Sequence, residues 1–236
     1  MAALAAAPTS PLTLYTAGTP NGWKASICLE ELGQQKEDWY CRINPNGRIP
    51  AIVDHSAGDL PVFESGSVLL YLAERDPERR LLLADPRGRA EAISWLFWQV
   101  GGLGPMAGQA DWWLLLAGER SEAAIDRYIT EVQRLLSMME ARLEGREWLA
   151  GGQYTIADIA CFPWVLMHDL WGISLAAFYP NLRAWADRIK ARPAVQRGLN
   201  VPGPNMVLQH TDMWKGWLEK ASKRLAGIKP FPQPEE

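Results

Sequence analysis

The stretch Asn44-Pro45-Asn46-Gly47-Arg48-Ile49-Pro50-Ala51-Ile52-Val53-Asp54, followed by Phe63-Glu64-Ser65, decides the fold. Proline cannot donate to a central ladder, so Pro50 before the apolar run Ala51-Ile52-Val53 fits a strand entrance or a cis turn. A cis turn leaves the Ile49 backbone outside the ladder and open to an extended peptide, which would add as a short strand; a trans proline in an ordinary loop is the alternative. Pro61-Val62-Phe63 is a second apolar run, and His55 to Asp59 between the two carries Gly and Asp, as a hairpin does. Upstream, Leu12-Thr13-Leu14-Tyr15 alternates as a short strand. Gly18-Thr19-Pro20-Asn21-Gly22 is dense in turn formers, and Trp23 to Leu32 is helix-like, closing at Gly33.

Ser65 to Glu74 reads as a helix opened by a small polar cap, Ser65. Its free amides and dipole attract a carboxylate, and Glu64 beside them suits an α-ammonium. Taken alone, such a pair at a helix start more often does no more than cap it. From Pro86 to Pro193 strand signals vanish and helical stretches take over: Arg87 to Val100, Glu122 to Glu144, Thr155 to Leu170 and Leu182 to Arg192. Thr155-Ile156-Ala157-Asp158 is a capping box with Asp in the acidic position, a marker of the fold rather than a site. The chain therefore divides into a loose start (1–11), an α/β domain (12–80), an all-helical domain (87–201) and a Pro-punctuated tail (202–236) with an amphipathic piece near Met213 to Leu225.

Among 236 residues, 48% are hydrophobic and 22% charged, with a net charge of -3. That balance gives no electrostatic case for nucleic acid. Cys28, Cys41 and Cys161 are scattered and odd in number, which argues for a reducing compartment without disulfides, and the three histidines are equally dispersed, so no metal site is expected. Met1 to Pro11 lacks a basic leader region, and no run reaches the ~18 to 20 apolar residues of a membrane span. A cytoplasmic protein is expected.

Taken in order, these motifs resemble those of a glutathione transferase. Thr19-Pro20-Asn21-Gly22-Trp23-Lys24 and Trp98-Gln99-Val100-Gly101-Gly102-Leu103-Gly104-Pro105-Met106 narrow the resemblance to the Nu type, related to the fungal nitrogen-regulation prion protein. The resemblance implies a thioredoxin-like first domain, glutathione as cofactor, and a homodimer with the helix near Trp95 to Val100 at its interface. It implies that Thr19 and Asn21 contact the glutathione sulfur, favouring the thiolate with help from a helix N-terminus at Trp23. Gln35, Arg48, the Ile49 backbone, Glu64 and Ser65 would line the glutathione site, with Gln35 and Arg48 toward the glycine carboxylate. Arg48 fits a solvated surface charge as well. Met106, Gln109, Trp112 and Trp113 would form an apolar acceptor pocket, Trp164 and Trp171 sharing one helix farther on. Most of the twelve tryptophans are expected in the core.

One departure from that family stands out. Gln34 to Arg42 is too short for the usual strand plus short helix, so the second, edge strand is expected to be missing and Gln35 to be displaced. A likeness to tailoring enzymes of fungal secondary metabolism implies trans-cis isomerisation of a polyene, the thiolate adding, the bond rotating and the thiolate leaving. Conjugation, disulfide reduction and non-catalytic regulation are the alternatives.

Overall fold

The computed structural model describes residues 11–24, 43–46 and 48–228. Gln35, and the segment where the second strand would fall, lie outside them. Among the described residues three strands form one sheet in the order β1 (Leu12–Tyr15), β2 (Ala51–Asp54), β3 (Leu60–Phe63), both pairs antiparallel. Thr13 faces Val53 and Ile52 faces Val62. β1 and β2 are buried at every position, whereas β3 carries Pro61 and is largely exposed, the place where a strand without one ladder donor is tolerated. The expected hairpin is present. Asp54 ends β2 by accepting the Ser56 and Ala57 amides at 2.9 and 3.2 Å, and Gly58 takes the left-handed conformation that closes the turn.

The first helix, α1, begins at Pro20 rather than at Trp23; its described part is residues 20–24. Thr19 is its cap, with Oγ1 accepting the Gly22 amide at 3.3 Å and the carbonyl accepting that of Trp23 at 2.9 Å. Thr-Pro at a cap and first position starts a helix, although the same residues compose turns. Gly22 is required: an added Cβ would lie 2.1 Å from the Ala17 carbonyl oxygen. α2 (Ser65–Arg75) corrects a second expectation. Ser65 is its first helical residue, and the N-cap is Glu64, at φ +66° with no side-chain cap bond.

The second domain is all helical. α3 (Pro86–Trp98), a π turn (Gln99–Leu103), α4 (Gly104–Asp111) and a second π turn (Trp112–Leu116) follow without leaving helical dihedrals at their junctions. Gly104-Pro105-Met106 is thus helical. Pro105 brings no amide to the ladder, and the π turn before it, closed by the Gly104 amide on the Gln99 carbonyl, absorbs the mismatch. α5 (Glu122–Leu143) buries Ile125, Ile129, Val132, Leu136, Met139 and Leu143, one stripe at helical spacing. α6 (Ile156–Val165) is buried along its whole length and opens on the expected capping box. Its Asp158 accepts from the Thr155 amide, the Leu149 amide and the Trp185 indole at 2.8 to 3.0 Å. α7 (Leu175–Phe178), α8 (Pro180–Lys190), α9 (Pro193–Leu199) and α10 (Asp212–Leu225) complete it. Trp171 sits in a separate 3-10 turn (His168–Trp171), not on the helix of Trp164.

One apolar core runs through both domains, from Leu14 and Ile52 to Phe162 and Trp185, with Trp23, Trp171, Trp185 and Trp214 fully buried. The Ile156 amide donates to the Leu81 carbonyl at 3.0 Å, and Gly66 of α2 packs on Val100. These contacts fix the cleft between the domains.

Candidate functional site

A cleft of about 820 Å³ opens between the domains. From the first domain Asn21, Asn44, Arg48, Ile49, Glu64 and Ser65 line it; Met106, Gln109, Trp112 and Leu116 line it from the second. Most of the residues expected in the site therefore meet here. Thr19 does not reach the wall: it is exposed and caps α1, while Asn21, in the first helical turn, faces the cleft. Trp113 is half-buried against the core, its carbonyl accepting from Arg224 at 2.8 Å, and is not a lining residue.

The loop before β2 is shaped by Asn44, which is buried. Its Nδ2 donates to the Arg48 carbonyl at 2.5 Å and its Oδ1 accepts the Asn46 amide at 2.8 Å. The Ile49-Pro50 peptide is cis, and the strand begins only at Ala51, so Ile49 sits on the cleft wall ahead of the ladder. Across from it stands the bare start of α2, where orphan amides and the positive end of the helix dipole favour an anion.

Two residues quoted in the family motifs but given no role there complete the floor. Lys24, three places after Asn21 on α1, is 1% exposed; its Nζ donates to Gln99 Oε1 at 2.6 Å and to Ser65 Oγ at 3.3 Å. Burial pulls its pKa down to about 7, against the opposing pull of the Glu64 charge. Cys161 on α6 is also near, but burial pushes its thiol up, so it stays neutral. Gln99 is fully buried, and its Nε2 has no hydrogen-bond partner among the described residues; the same holds for Trp164 Nε1 on the cleft wall. Gly104 lets both approach: a Cβ there would lie 2.6 Å from Gln99 Nε2 and 3.3 Å from Trp164 Nε1. Behind Trp112, burial raises the Asp111 pKa to about 7, tempered by a 2.8 Å bond from the Trp171 indole. No group of three metal-ligating side chains occurs among the described residues.

Such a cleft suits an extended zwitterionic ligand with an apolar partner beside it. Residues 10–74 match the model of the glutathione S-transferase N-terminal domain and residues 100–193 that of its C-terminal domain. The chain belongs to the glutathione S-transferase family. Among relatives of this glutathione S-transferase, the disulfide-bond oxidoreductase YfcG of Escherichia coli is 45% identical over 205 residues, covering 80% of this chain and 94% of the relative. The glutathione S-transferase-like protein tpcF of Aspergillus fumigatus is 36% identical over 215 residues, covering 80% and 95%. A glutathione transferase of Burkholderia graminis, solved with two glutathione molecules per subunit, superposes with a TM-score of 0.76 at 42% identity, covering 84% of this chain and 90% of that one. Similarity thus extends to bacterial as well as fungal enzymes. Among the described residues no helix is long and apolar enough to cross a membrane.

Proposed function

We propose that this glutathione S-transferase binds glutathione in the interdomain cleft and uses its thiolate to reduce a small disulfide. The observation that carries the reading is the set of groups lining one cleft: anion-favouring Ser65 with Lys24 behind it, Asn21 at the head of α1, and apolar Trp112 and Leu116. The α-carboxylate lies at the start of α2, the α-ammonium against Glu64, and the cysteinyl backbone pairs with Ile49 as an added strand. Arg48 faces the glycine carboxylate. The sulfur then reaches the N-terminal turn of α1, where Asn21 and the helix dipole favour the thiolate.

The bound thiolate attacks one sulfur of the substrate disulfide; that S–S bond breaks, a thiolate leaves and takes a proton, and a mixed disulfide with glutathione remains. A second glutathione thiolate attacks the glutathionyl sulfur, releasing the other thiol and glutathione disulfide. Likeness to YfcG supports this reading over conjugation. The test is an assay with bis(2-hydroxyethyl) disulfide and glutathione, coupled to glutathione reductase and NADPH. Enzyme-dependent NADPH oxidation is expected; a rate equal to glutathione alone counts against the proposal.

A second reading rests on the exposure of Trp112 and Leu116, 50% and 65%, on the cleft wall. That surface suits a flat conjugated substrate, and the thiolate then adds, permits rotation and leaves, isomerising a trans polyene to cis as in an enzyme of the pseurotin-biosynthesis type. Isomerisation dependent on glutathione, without adduct, supports it. We place the protein in the cytoplasm as a homodimer, with Phe97, 63% exposed on α3, in the interface; light scattering should give twice the chain mass, and a monomer contradicts it.

A further inference from the structure

Lys24 poses a problem of charge that its protein surroundings leave open. A lysine this deeply buried is ordinarily paired with an anion, because removing an ammonium from water is costly. Its hydrogen-bond partners are a hydroxyl and an amide oxygen, both neutral, for three donors. No carboxylate lies within ion-pair distance of Nζ among the described residues. Glu64 at the head of α2 acts on it only from farther off, Cys161 on α6 is neutral, and Arg48, the other cation lining the cleft, is no counter-charge. The hydroxyl partner, Ser65, is the first residue of a helix whose opening amides have no side-chain cap. Gln99, the amide partner, keeps a second polar atom unpaired on the same floor. Buried positive charge, uncapped amides and an unpaired donor converge on one end of the cleft.

We propose that Lys24 is a positioning residue whose ammonium, acting through Ser65 and Gln99, is the counter-charge to the α-carboxylate of bound glutathione, and that it takes up a solvent proton as that carboxylate arrives. This rests on the glutathione reading above. In the free protein burial leaves Lys24 poised near neutrality, and an anion at Ser65 favours its charged form. The linkage has a definite sign. A base whose pKa rises on binding makes binding strongest below its free value, about 7, and weaker as pH climbs above it.

Isothermal titration calorimetry with S-methylglutathione, which has no thiol to titrate, tests this in buffers of low and high ionisation enthalpy between pH 6.0 and 7.5. The wild-type protein should take up about 0.7 proton per ligand at pH 7.5, and its Kd should rise about threefold from pH 6.5 to 7.5. Lys24→Met should bind about tenfold more weakly with uptake below about 0.2 proton, which also subtracts any contribution of the ligand's amine. Wild-type binding with a pH-independent Kd and no proton uptake overturns the proposal and leaves the glutathione reading intact. Absence of any binding overturns both. The wild-type measurement stands by itself if the variant does not fold.

Discussion

Lys24 Nζ donates to Gln99 Oε1 at 2.6 Å, so that the first helix of the α/β domain is bonded to the π turn of the long helical run across the floor of the cleft. Both residues are buried, and each comes from a different domain. The bond makes the geometry of the ligand site depend on the docking of the two domains.

Removing the acceptor should expose that dependence. Gln99→Leu leaves a buried ammonium with one hydroxyl partner, a loss of about 2 kcal/mol of stability. Urea unfolding should show the lower midpoint, and glutathione binding should weaken with it, because Lys24 is no longer held beside Ser65.

Glu64→Gln should behave differently. Glu64 is exposed and makes no cap bond, so the thermal midpoint should stay within about 0.5 kcal/mol of wild type in stability terms. Glutathione affinity should fall roughly tenfold through loss of a charge-assisted bond to the α-ammonium, whereas a glutathione analogue lacking that amine should bind both proteins alike.

Trp112→Ala tests the apolar wall. The side chain is half exposed, so the fold should be little changed, while KM for an apolar acceptor rises about tenfold and the Kd of glutathione holds. Equal losses for both ligands would place Trp112 in the glutathione site instead.

Asp111 provides a stability test with a fixed sign. Its folded value, raised by burial to about 7, lies above the unfolded one, so the folded state keeps a proton that the unfolded chain loses, and stability declines as pH rises from about 4 to 7. Asp111→Asn cannot ionise and can still accept from the Trp171 indole. Its thermal midpoint should exceed that of wild type by several degrees at pH 8 and converge toward pH 4.

Much of the molecule could be read from local pattern. Turn chemistry at His55 to Asp59 and the Thr155/Asp158 box are short-range signals, and both stand as expected. Of the residues that the family resemblance named, Asn21, Arg48, Ile49, Glu64, Ser65, Met106, Gln109 and Trp112 line one cleft, whereas Thr19 and Trp113 do not. Sequence reading erred where one residue serves two structures. Thr19-Pro20 composes turns yet starts a helix, and Ser65 looks like a cap yet Glu64 occupies that place. Lys24 stood in a quoted motif without a role because a lysine on a helix is normally solvated. Its burial arises from α2 and the Gln99 turn packing over it, a tertiary fact without a local signature. The expected loss of the second strand, and the place of Gln35, lie outside the described residues.

A crystal structure of the glutathione complex tests the central claim most directly. The account predicts the α-carboxylate within 3.2 Å of the Ser65 amide or hydroxyl by the usual hydrogen-bond limit of about that distance, the cysteinyl backbone paired with Ile49, and the sulfur at the first turn of α1 by Asn21. Glutathione bound with its glycine carboxylate at Ser65, or outside the interdomain cleft, would contradict it.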